Sequence, residues 1–197
     1  MQHKTFEAFE QEANQYRKIL QQYKKNGTVF VDPHFHPQGK ISENPNKFRG
    51  FDNSIVWHRV DAFFKAPLFQ PDLINPNFIK QGNLGDCYFL SALSRIASQP
   101  RLVPALFEIE TVEKQMGKVE NSIDLRCGAV VIKFFAFGKQ TKVLIDTQIP
   151  FTRGTRKPFL SRPSDIMYSP WFCLVEKAYA KLTGSYSDIV GGLFFQA

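Results

Sequence analysis

Cysteine chemistry runs through the thiolate, and a thiolate needs positive charge or hydrogen-bond donors beside it. In this 197-residue chain the residues that could supply such a setting stand together as Gln81-Gly82-Asn83-Leu84-Gly85-Asp86-Cys87. Leu90, Leu93 and Ala97 follow at the three- and four-residue spacing of one buried helix face, Asp86 suits an N-cap, and Pro100 supplies a stop. Cys87 is therefore expected in a first helical turn, where unpaired backbone N–H groups and the helix dipole favour an ionised sulfur. Asp86 works against this, because a neighbouring carboxylate disfavours a thiolate; a partner cation, usually a histidine, is then needed. Gly82 and Gly85 permit a close backbone approach, so Gln81 can fold back beside the sulfur. Its amide N–H and that of Cys87 would form an oxyanion hole for an acyl intermediate. A buried helix-start cysteine after an ordinary turn fits the same residues without any chemistry.

Other segments must hold that helix in place. Phe6, Phe9, Ala13, Tyr16, Leu20 and Tyr23 form one stripe of an amphipathic helix that ends at Asn26-Gly27 and docks on the body of the protein or on a partner. Leu102 to Phe107 reads as a second short helix, and the polar stretch from Glu108 to Arg126 as a loop or insertion. Two β-branched and aromatic runs, Gly128 to Phe137 and Gln140 to Asp146, meet at Gly138-Lys139 as a hairpin. Trp171, Leu174, Val175, Ala178, Tyr179 and Leu182 give a final amphipathic helix whose main role is core packing.

Composition narrows the classes further. A hydrophobic fraction of 43% with 20 Phe argues for a packed core. No apolar run approaches the roughly 20 residues of a membrane span, and the polar start MQHKTFEAFEQEANQ has no signal-peptide character. The cysteines Cys87, Cys127 and Cys173 are too few and scattered for a disulfide framework, so a reducing, cytoplasmic setting is expected. The formal charge is +7, yet the basic cluster Arg153, Arg156, Lys157 and Arg162 lies in a loop-like segment without interleaved aromatics, and nucleic-acid binding is not expected. His34 and His36 lack a nearby cysteine or carboxylate at ligand spacing and read as Pro-flanked surface residues.

The run from Gln81 to Leu90 closely resembles the calpain nucleophile motif Q-G-x-L-G-D-C-W-[FL]-L, with Tyr88 in place of the usual Trp. Trp171 to Leu182 is similar to that family's W-x-x-L-[LI]-E-K-A-Y-A-K-L helix, and Gly184-Ser185-Tyr186 through Gly191-Gly192 to its G-S-Y-x-x-[LI]-x-G-G. Val29 to Pro37, Trp57-His58-Arg59 and Asp146 to Pro150 resemble further family segments. The resemblance implies an α+β architecture: the N-terminal, helical half of a papain-like cysteine peptidase, with the nucleophile helix and a small antiparallel sheet. Residues 1–27 would be an N-terminal helical extension, 28–192 the first protease-core subdomain, and 193–197 the start of a linker.

In site terms, the resemblance makes Cys87 the nucleophile and Gln81 the oxyanion donor, with the Gly191-Gly192 backbone bordering the substrate cleft. It also implies a calcium site that includes Glu176. The acidic ligand expected three residues before the motif Gln is Phe78 here, so tight calcium binding is not expected even with Asn75, Asn77 and backbone carbonyls nearby. No other cofactor is implied. All four histidines, His3, His34, His36 and His58, precede Cys87, whereas the family's His and Asn come from a second subdomain after the Gly-Gly linker. The expected function is the nucleophile half of an intracellular cysteine endopeptidase acting on protein substrates, inactive until a second subdomain supplies His and Asn. The rival reading is a non-catalytic calpain-like scaffold or protein-binding module.

Overall fold

The computed structural model describes residues 5–35, 55–64, 66–113, 119–136 and 138–192, and along 110–122 the backbone alone. Helix α1 (Phe6–Ala13) starts where the Thr5 hydroxyl accepts the Ala8 N–H at 3.3 Å. The single expected stripe breaks at Asn14-Gln15, where the Gln15 N–H bonds Glu12 O in a tightened turn. Helix α2 (Tyr16–Asn26) continues the buried face until Gly27, at φ 72°, closes it in the left-handed region. The break costs the stripe nothing, because Ala13, Tyr16, Ile19 and Leu20 still cluster on one surface with Cys127, Ala129, Val131 and Leu144. The helix pair thus docks on the body of the chain.

Strand β1 (Ile55–Arg59) runs into the single turn α3 (Val60–Phe63), and β2 (Ile79–Lys80) leads through the Gly-rich loop into α4 (Cys87–Ala97). Pro100–Leu106 is a 3-10 segment with Pro104 inside it, which denies the α-helical hydrogen bond that the short-helix expectation required. The stretch expected as a loop holds a hairpin, β3 (Glu110–Glu113) with β4 (Val119–Ser122), Glu110 opposite Ser122. The ladder is an antiparallel backbone pairing, and the charged residues on both strands disguise it in the sequence.

The hairpin of β5 (Ala129–Ala136) and β6 (Lys139–Asp146) forms as expected, with Ala136 opposite Lys139 at its tip. Its two faces serve different layers. Val130, Ile132, Val143 and Ile145 enter the main core with Leu174, Val175 and Ala178, whereas Val131 and Leu144 meet α1 and α2. Strands β7 (Gln148–Thr152) and β8 (Arg162–Pro163) pair antiparallel with β1 and β2, and α5 (Trp171–Thr183) is the central helix of the core. The architecture is therefore mixed: helices with small two-stranded antiparallel sheets. No helix among the described residues is long and apolar enough to cross a membrane.

Buried charge fixes α5 in register. Lys177 is fully buried and donates to Asp146 Oδ1 at 2.5 Å and Gln148 O at 2.7 Å. One turn on, Lys181 reaches Asp32 Oδ2 at 2.6 Å, Leu144 O at 2.7 Å and Glu12 Oε2 at 3.0 Å. Asp32 N–H in turn donates to Asp146 Oδ2 at 2.9 Å, which joins the two lysine sites into one network. Both ends of the segment from α1 to Phe35 are thereby tied to α5.

Candidate active site

Cys87 opens α4 with its side chain exposed, while Cys127 and Cys173 are buried. The accessible sulfur disposes of the buried-cysteine alternative. Asp86 occupies the N-cap position, but its carboxylate makes no capping hydrogen bond; only its backbone carbonyl serves the helix, accepting from Phe89 and Leu90 N–H. The capping role expected of its side chain is not taken up, and the reason lies beneath the helix.

Asp86 is fully buried, and no donor among the described residues reaches either carboxylate oxygen. It faces Glu176 of α5, also buried, and burial drives both carboxyls toward the protonated form. Asp86 is pushed up to about 6, chiefly by desolvation. Glu176 is pushed well above the usual carboxylate range, first by desolvation and then by the charge of Asp86. Two buried carboxyls this close disfavour a doubly ionised state. Ser161 completes the arrangement: its N–H lies 3.2 Å from both Glu176 carboxylate oxygens, and its hydroxyl donates to Oε2 at 2.7 Å.

The loop before α4 is shaped by backbone contacts. Gln81 Nε2 donates to Leu84 O at 2.7 Å, which folds its amide back across the loop. Gly82 must be glycine for space: a Cβ there would lie 1.9 Å from Leu160 O. The Asn83 N–H donates to Phe159 O at 3.0 Å. From the other side, the Gly191 N–H donates to Gly85 O at 2.9 Å, with Gly191 at φ 73°. Gly192 lies on the Tyr88 ring, so closely that a Cβ would come within 2.3 Å of it. The structure thus brings Gln81, Cys87, Gly191 and Gly192 to one locality, with Glu176 and Asp86 beneath.

The described histidines are engaged elsewhere. His34 Nε2 lies 3.3 Å from Glu12 Oε1, and the His58 ring packs against Phe63 and Phe151 at 4.7 and 5.4 Å. His3 and His36 lie outside the described residues. Sequence reasoning missed Ser161, for which no local signal exists, and it gave Glu176 as part of an implied calcium site, with no sign that the residue is 1% exposed.

A sequence model described as a calpain family cysteine protease matches residues 30–197. The chain belongs to the calpain family. Among similar proteins, a calpain of Schistosoma mansoni is 31% identical over 191 residues, covering 91% of this chain and 22% of the relative. Calpain-A of Drosophila melanogaster is 30% identical over 181 residues, covering 92% and 20% respectively. The calpain-type cysteine protease DEK1 of Arabidopsis thaliana is 33% identical over 176 residues, covering 83% of this chain and 7% of the relative. The chain spans about a fifth of the length of the two animal calpains it matches.

The calcium ligands that the calpain resemblance implies do not fit the residues present. Phe78 lies flat on Tyr168, ring centroids 3.5 Å apart and planes 10° apart, and offers no oxygen. The Asn75 side-chain oxygen accepts the Asn77 N–H at 2.9 Å. Glu176 oxygens are taken up by Ser161, and its carboxyl tends to hold a proton, whereas a hard cation wants six to eight ionised or carbonyl oxygens. Among the described residues there is no cluster of three His, Cys, Asp or Glu side chains able to hold a metal.

Proposed function

We propose that this chain is the nucleophile-bearing half of a calpain-type cysteine endopeptidase core, the helical half of a papain-like fold, acting on proteins inside the cell. The observation that carries the reading is an exposed Cys87 at the first residue of α4, beside a loop on which Gln81 folds back and against which the Gly191-Gly192 segment is hydrogen-bonded. Cys87 Sγ attacks the scissile carbonyl carbon, the S–C bond forms, and the carbonyl oxygen takes the negative charge. The Cys87 N–H and the second Gln81 amide hydrogen are the donors suited to that oxyanion. Gly191 and Gly192 present backbone to an extended substrate, as their lack of side chains permits.

A base that ionises the sulfur and protonates the leaving amine belongs to a second subdomain, together with the Asn that orients it. The test is proteolysis of casein. The chain alone is expected to be inactive, and its complex or fusion with a His- and Asn-bearing calpain subdomain to be active, with activity lost on Cys87→Ala. Activity of the chain alone that disappears in Cys87→Ala would overturn the two-part reading. A fusion that stays inactive while Cys87 alkylates no faster than glutathione would favour the scaffold.

A further inference from the structure

We propose that Ser161 is a positioning residue for the Cys87 site, acting through the strap Phe159-Leu160-Ser161. This rests on the nucleophile reading above and adds to it the element that sets the nucleophile loop. Ser161 is 1% exposed, and every polar group it has points to α5. Its N–H and hydroxyl go to Glu176, and its carbonyl accepts from Cys173 Sγ at 3.1 Å. The two residues before it are laid on the nucleophile loop. Phe159 O takes the Asn83 N–H, and Leu160 O sits over Gly82 in a space that no side chain could share. The strap is held from behind as well, by the Phe159 N–H to Pro150 O bond at 2.8 Å.

These contacts close a ring. Ser161 holds Glu176, Glu176 faces Asp86, Asp86 is the N-cap of α4 next to Cys87, and the loop from Gly82 to Gly85 returns to the strap. Gln81 and Cys87, the two residues whose N–H groups suit the oxyanion, flank the loop that this ring clamps. Donor groups work only when held within a fraction of an ångström, and a shift of about 1 Å in such a constellation costs about 100-fold in rate. Freeing the strap from α5 would release the loop at Gly82 and Asn83. It would also let Cys87 drift from its place beside the Gln81 amide.

The experiment measures the second-order rate of Cys87 alkylation by iodoacetamide across pH, relative to glutathione, in folded protein. Three variants are compared: Ser161→Ala, Ser161→Thr and Gly82→Ala. Ser161→Ala is expected to slow alkylation about threefold or more at neutral pH. Ser161→Thr keeps the hydroxyl and restores the rate to within about twofold. Gly82→Ala pushes on Leu160 O from the opposite side with the Ser161–Glu176 bonds intact, and it reproduces the slowing. The test therefore does not hang on the folding of Ser161→Ala. Profiles that coincide with wild type in Ser161→Ala and Gly82→Ala, with only thermal stability reduced, would make Ser161 purely structural. A wild-type Cys87 no faster than glutathione sinks the nucleophile reading and this inference with it, which is a different result from a fast wild type unmoved by the variants.

Discussion

Lys177→Met tests whether buried charge holds the nucleophile half together. Lys177 is wholly buried, with Asp146 Oδ1 and Gln148 O as its acceptors and the Trp57 ring 5.7 Å from its ammonium. Methionine fills much of the same volume, so the loss is one of charge, and Asp146, itself fully buried, is left without its cation. Among the described residues it keeps the N–H groups of Asp32 and Gln148, at 2.9 and 2.8 Å. Removing one partner of a buried pair costs about 3–5 kcal/mol. That is a large part of a total of about 5–15 kcal/mol for a domain. At about 2–4 °C per kcal/mol for a chain of this size, the melting temperature should fall by about 6–20 °C. Urea unfolding followed by near-UV circular dichroism gives the free energy. Lys177→Met/Asp146→Asn should recover part of the loss. Recovery stays partial because the two N–H groups reach different carboxylate oxygens, and an amide presents an acceptor at one of those places and a donor at the other. A loss under about 1 kcal/mol for Lys177→Met, or a double variant worse than the sum of the single ones, would refute the reasoning.

The raised carboxyls of Asp86 and Glu176 predict a pH dependence. Both carboxyls are raised in the folded state, so the native chain binds more protons than the unfolded one; this stability is complete below about pH 4 and is lost as pH rises through about 6 and beyond. Asp86→Asn removes one acid of the pair and should flatten the fall in the urea midpoint between about pH 4 and 7; an equally steep fall would refute the pairing. Calcium at about 1 mM should leave the melting temperature unchanged, and a rise abolished by Glu176→Ala would show a site that the Phe78–Tyr168 stack does not preclude. Deleting residues 1–27 uncovers the surface that buries Cys127, so the native-state count of thiols reacting with an aromatic disulfide reagent should rise from one to two; a count that stays at one means α1 and α2 do not seal that face.

Where periodicity and chemistry agree, the sequence is legible. The starts of α4 and α5 and the β5–β6 hairpin all stand within a residue or so of their expected places, because each carries a strong apolar period and a clear stop. The break between α1 and α2 is invisible because the stripe of buried residues passes through it in phase. The β3–β4 ladder is invisible for the opposite reason: its strands have no apolar face to show. At the candidate site, Cys87 and Gln81 announce themselves by type and spacing. Ser161 does not, since a lone serine acquires its role only when the chain brings it back to Glu176 across 15 residues. Asp86 stands at the expected N-cap, but local spacing cannot see that its carboxylate is buried toward Glu176 on another helix and so makes no capping bond.

That acid belongs to the run Glu176-Lys177-Ala178-Tyr179-Ala180-Lys181, which looks in sequence like the solvated face of a helix. All three of its charged residues are buried, at 1%, 0% and 6% exposure. Their partners lie in different directions: Asp86 and Ser161 for Glu176, Asp146 and Gln148 for Lys177, Asp32 and Glu12 for Lys181. Apolar contacts alone tolerate a helix sliding or turning, since one methyl group replaces another at small cost. Buried charges do not: a slip of one residue along α5, a rise of about 1.5 Å and a rotation of about 100°, would strand each charge away from its counter-group at several kcal/mol apiece. The charges therefore specify one setting of α5, and through Glu176 and the Phe159–Ser161 strap that setting is passed to the loop that carries Gln81 and Cys87.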